Sequence, residues 1–85
     1  MLVNLEIPRA GTVLIGVARK GASAPNQHQF YNGYDGDDMR LLGSKVVNAY
    51  GKHISTEIEV RGYSDNQSYE VFYILKNTNL RKVNY

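Results

Sequence analysis

The sequence predicts an α+β fold: an antiparallel sheet of four to five strands with one helix, in the order β-β-(β)-α-β-β-(β). Three observations predict it. Several short stretches alternate apolar and polar residues, the period of a half-buried strand. Clusters of Pro, Gly, Asn, Asp and Ser separate those stretches. One stretch, Asp37–Tyr50, carries apolar residues at helical spacing instead. The chain has 85 residues, enough for a single domain (residues 1–85) with a small core. Closing the same strands into a small OB-like five-stranded barrel is the alternative architecture.

The first strand covers Leu2 to Ile7, with Val3, Leu5 and Ile7 on one face and Asn4 and Glu6 on the other. Pro8-Arg9-Ala10-Gly11 reads as a turn. Thr12 to Lys20 resumes as a strand, so the two form an expected hairpin. Gly16 marks a bulge or a close approach in that second strand. Residues 21–36 lack periodicity and are long for a structureless loop, so Gln27–Tyr31 is read as a short optional strand. In Asp37–Tyr50, Met39, Leu42, Val46 and Ala49 define the apolar face of the expected helix. Asp37 would cap it, Asp35 and Asp38 would favour its positive end, and Lys45 and Lys52 its negative end. Gly51 suits the left-handed position after its last turn. Gly43 weakens a helix interior and suggests that something approaches closely there.

His53 to Arg61 alternates cleanly, with Ile54, Thr56, Ile58 and Val60 inward. Residues 62–68 form a turn. Tyr69–Lys76 is apolar on both faces, the pattern of a central strand. Leu80–Tyr85 supplies a short final edge strand.

Composition narrows the chemistry. There is no cysteine, hence no disulfide framework, thiolate nucleophile or Cys-based zinc site. A reducing, cytoplasmic setting is the simpler expectation. The opening residues show no basic region followed by an apolar run, and nothing approaches the length of a membrane span. Net charge is +2. The excess lies in residues 44–85, where Lys45, Lys52, Arg61, Lys76, Arg81 and Lys82 face Glu57, Glu59, Asp65 and Glu70.

The segment HQFYNGYDGDD (28–38) crowds aromatic and acidic residues. Its acids lack the alternating ligand pattern and late Glu of a calcium loop, so capping explains them better than metal binding. Phe30 reads as core. Tyr31 and Tyr34 are either packed or exposed for binding. His28 and His53 lie in different elements, and two imidazoles with a nearby cation are the components of ribonuclease-type cleavage. An ordinary surface histidine is the commoner explanation. No nucleophile elbow, Walker loop or H-E-x-x-H motif occurs. No enzymatic activity, metal or cofactor is therefore expected.

The positive signal is the interleaving of basic residues with tyrosines, the materials of a groove that binds single-stranded nucleic acid by charge and stacking. The candidate residues are Arg19, Lys20, Tyr31, Tyr34, Arg61, Tyr63, Arg81 and Lys82. The alternative is a protein-interaction module, such as a phage- or mobile-element-encoded inhibitor of a host protein. It would present a sheet edge or an exposed apolar face. A homo-oligomer paired through residues 80–85 is compatible with either.

Overall fold

The computed structural model describes residues 1–83. Its elements are β1 (Leu2–Glu6), β2 (Gly11–Arg19), α1 (Gln27–Tyr31), β3 (Gly43–Ala49), β4 (His53–Glu57), β5 (Tyr69–Leu75) and β6 (Arg81–Val83). The fold is mostly antiparallel sheet with one short helix. A four-stranded sheet has the order β3-β2-β5-β6, and β1 and β4 form a separate two-stranded ribbon. No closed barrel forms among the described residues, so the OB-like alternative is not the architecture. No described helix is long and apolar enough to cross a membrane.

The pleat explains the layering. Val13, Ile15 and Val17 of β2 and Val71, Tyr73 and Leu75 of β5 point to one face, where they meet Val3, Leu5, Ile54 and Ile58 of the ribbon side. The alternate residues Ala18, Phe72 and Ile74 point to the other face, where Phe30 of α1 and Leu41 cover them. β2 and β5 are thus buried on both faces, which is why both read as nearly continuous apolar runs. Burying a side chain such as Phe30 contributes about 1.5–3 kcal/mol. Gly16 makes room for it: a Cβ there would stand 2.5 Å from Phe30 Cε1. The close approach suggested by this glycine is the Phe30 ring.

Several expectations are corrected. Asp37–Tyr50 is not a helix; residues 43–49 are β3, paired with β2 from Val17↔Gly43 to Gly11↔Ala49. The helical face is not buried, since Met39 is 54% and Val46 62% exposed. The β-branched pair Val46-Val47 prefers the extended state, and Val47 and Ala49 pack on the core as alternate residues. The capping and dipole roles assigned to Asp35, Asp37, Asp38, Lys45 and Lys52 lapse with that helix, and Gly51 lies in the turn between β3 and β4. The helix is instead α1, where a strand was expected. Asn26 caps it: its side chain accepts the Gln29 N–H at 2.8 Å, and the Gln29 side chain accepts the Asn26 N–H at 2.9 Å.

β1 and β2 do not form a hairpin. β1 pairs with β4, from Leu2↔Glu57 to Glu6↔His53, while β2 pairs with β3 and β5. The odd-numbered apolar residues of β1 and β2 face each other across the core, so the two strands stack rather than lie side by side. β4 ends at Glu57, short of the expected Arg61, although Ile58 stays buried and donates its N–H to the Met1 carbonyl at 2.9 Å. β5 is interior, as its pattern implied, and β6 follows it as a three-residue strand. The rest of the predicted final strand, residues 84–85, lies outside the described residues.

Candidate interaction surface

The acidic segment is a loop clamp. Asp35 is 1% exposed, and its Oδ1 accepts the N–H groups of Asp37 at 2.8 Å and Met39 at 3.0 Å. Asp37 accepts the N–H of Ser23, the Ser23 hydroxyl and Arg19 Nη2, each at 3.0 Å. The Ser23 backbone and hydroxyl bonds, with the Arg19 charge, hold the Asp37 carboxyl below the ordinary aspartate range. Asp38 sits at positive φ and accepts from Gln29 Nε2 at 2.9 Å. These carboxylates secure the 20–39 region to α1 and to the end of β2. Among the described residues no group of three or more His, Asp or Glu could hold a metal ion.

The eight sequence-selected residues fall on several surfaces. Arg19 is engaged by Asp37, and its Nε lies 4.0 Å from Asp35 Oδ2. Lys82 pairs with Glu70 at 3.0 Å. Glu70 also accepts the Gly21 N–H at 2.9 Å, and that bond, followed by the one from Lys82, lowers its pKa. Arg61 donates to the Leu41 carbonyl at 2.8 Å, which fixes its guanidinium against the loop. Arg81 lies opposite Tyr73 on β6. Tyr34 bridges to Arg40, whereas Tyr31 projects from α1 at 57% exposure. Lys20 and Arg19 share a groove with Tyr69. Tyr63 stacks on Tyr69 at 5.8 Å between ring centroids and 17° between planes. Its hydroxyl bonds to the Asp65 carboxylate, which raises the Tyr63 pKa. The structure therefore brings Arg19, Lys20 and Tyr63 to neighbouring surfaces around the 62–69 loop. It leaves Tyr31 and Tyr34 on the helix layer and Arg81 and Lys82 on the β6 edge.

A different set converges. Thr12, Leu14, Tyr31, Val46, Ile74 and Lys76 line a groove of about 470 Å³ on the helix side of the sheet, where α1 is too short to cover β3 and the start of β2. Val46 and Tyr31 are its exposed apolar walls. Arg9 adds a cation at the rim, donating to the Lys76 carbonyl at 3.3 Å. None of the six lining residues is acidic. Among these only Tyr31 was selected from sequence. Val46 was assigned to another role because β3 was read as helix; the adjacent β-branched Val46-Val47 was the available signal.

Arg9, Lys52 and Lys76 gather where β2 begins, linked by Ile7 N–H to the Lys52 carbonyl and Lys76 N–H to the Thr12 carbonyl, with Glu6 as the nearby acid on the ribbon. The opposite end is mixed: Asp35, Asp37, Glu57, Glu59 and Glu70 lie there among Arg19, Lys20, Lys45, Arg61 and Lys82. The chain matches no family model, and no curated protein and no solved structure shows significant similarity to it.

Proposed function

We propose that this chain is a non-enzymatic protein-interaction module that binds an extended partner segment along β3. The observation that supports this reading is the exposed apolar groove of Leu14, Tyr31 and Val46, on an edge strand paired on one side only. A strand added to such an edge gains main-chain hydrogen bonds, and the groove beside it takes the partner's alternate side chains. The basic rim of Arg9 and Lys76 favours a partner with acidic flanks.

Nucleic-acid binding is the second reading, and the stacked Tyr63–Tyr69 pair beside Lys20 favours it. One experiment separates the two. A photo-crosslinking residue is placed at Val46 or at Tyr63 and irradiated in cells. Polypeptide adducts formed from position 46 and not from 63 are expected. Nucleic-acid adducts from position 63, with none from 46, overturn the proposal. Anisotropy of a labelled single-stranded oligonucleotide gives the matching control: steeply salt-dependent binding, lost in Lys20→Ala, supports the second reading.

A further inference from the structure

The outer edge of β3 has a specific geometry. In antiparallel pairing, the backbone groups of successive residues point alternately to the two neighbouring strands. The Thr12 carbonyl accepts the Lys76 N–H, on the β5 side of β2. The groups of Val13 therefore point the other way, to its partner Val47 on β3. It follows that Ser44, Val46 and Asn48 direct their N–H and C=O groups away from β2. Among the described residues no hydrogen-bond partner is found for these groups, and all three residues are exposed. The available edge has a defined start, because the Leu42 carbonyl is already taken by the Arg61 N–H at 2.9 Å.

Edges of this kind are usually blunted by proline, a bulge, an inward charge or a covering element. From Ser44 to Asn48 there is no proline, and the pairing register with β2 is uninterrupted. Lys45 is the one charge in that stretch, and its amine is tied to Thr56 Oγ1 at 2.8 Å and to the Glu57 carbonyl at 3.1 Å.

We infer that the occupant of this edge is a second copy of the same chain, joined by antiparallel β3–β3 pairing about a two-fold axis at Val46. This rests on the interaction-module reading and names its partner. Val46 is the central residue of β3. A two-fold axis there sets Val46 opposite Val46 of the other copy, and Ser44 opposite its Asn48. Every outward-pointing backbone group then meets a complementary one. No other antiparallel two-fold register pairs all three residues. The two Val46 side chains meet on the helix side of the sheet, each beside its own Leu14 and Tyr31, so the apolar groove is covered. The ladder becomes continuous across the axis, in the order β6-β5-β2-β3-β3-β2-β5-β6.

The register itself favours a copy: the same three residues pair on both sides with none left over, and each copy brings its own Leu14, Tyr31 and Val46 to the seam.

The test uses the absence of cysteine, because Val46→Cys creates the chain's single thiol. Residues paired through hydrogen bonds have Cα atoms about 5.5 Å apart, within the range that a disulfide spans. Mild oxidation of Val46→Cys is expected to give a covalent dimer, whereas Tyr63→Cys stays monomeric. Sedimentation velocity of the unmodified chain is expected to show a concentration-dependent dimer. Val46→Lys should weaken it by about tenfold or more, by placing like charges directly opposite each other. A monomer at all concentrations overturns the inference, as does a dimer that tolerates Val46→Lys with no disulfide at position 46. In the monomer case the interaction reading still stands if the position-46 crosslinker traps a different polypeptide, and falls if it traps none.

Discussion

At the scale of single residues, the most constrained side chain is Asp35. It is buried, and one of its oxygens satisfies two backbone N–H groups of the turn that follows. Replacing it with alanine strands both donors, and a buried unsatisfied group costs about 1–3 kcal/mol. Asp35→Ala should lower the urea midpoint with little change in slope; an unchanged midpoint would show that the turn stands without it. Asp37 and Glu70 act at the surface through protonation. Both carboxyls have lowered native pKa values, Asp37 chiefly through the Ser23 N–H and Glu70 chiefly through the Gly21 N–H. A lowered native pKa means that the unfolded chain takes up protons first as pH falls. The contribution is therefore complete above the ordinary carboxylate range, about pH 4, and is lost below it as pH falls through the native values. The thermal midpoint should fall on acidification, and Asp37→Asn with Glu70→Gln should shallow that decline. An identical acid limb in the double variant would remove these two groups as its source. The acidic residues of the 28–38 segment were visible in the sequence, but their partners were not, because Ser23 and Arg19 reach them only through the fold.

At the scale of elements, the tightest fit is between β2 and α1. A methyl group at Gly16 would meet Phe30 and also come within 3.0 Å of Leu41 Cδ1. Gly16→Ala should cost about 1–3 kcal/mol, the usual range for overpacking. Combining it with Phe30→Leu should cost less than the sum of the two single changes, because the smaller side chain gives way. Strict additivity in denaturation would mean that the ring and the glycine do not share this space. The sequence was legible where a strand's burial is simple. β5 and the body of β2 read correctly because both faces of each are covered. β3 did not, because its apolar residues are shared between a covered face and an exposed one, and Met39, Leu42, Val46 and Ala49 coincide with a helical repeat. α1 was legible in principle from Asn26 and Gln29, three residues apart, but five residues are too few for periodicity to reveal. Of the groove, only Tyr31 stood out, since an exposed tyrosine suggests binding whereas an exposed valine on a misread helix does not.

At the scale of the whole molecule, the ribbon and the sheet are assembled almost entirely from distant partners. β1 near the start pairs with β4, and β2 with β5 near the end. Loops must close before such contacts form, so folding should take milliseconds to seconds rather than microseconds. Stopped-flow refolding followed by tyrosine emission would measure this, and a complete submillisecond phase would contradict it. Strand pairing was the part of the fold least legible in sequence. Alternation says which residues of a strand are inside, but not which strand lies beside it, and both β1 and β2 had suitable inner faces.

The stacked Tyr63–Tyr69 pair gives the molecule a built-in optical label. With no tryptophan in the chain, ultraviolet absorption and emission above the peptide bands belong almost wholly to its seven tyrosines. Two phenol rings held 5.8 Å apart with their planes nearly parallel couple their transitions. The near-ultraviolet dichroism of this protein therefore carries a signature of the 62–69 loop, distinct from the sheet. Opening of that loop is observable without any added dye.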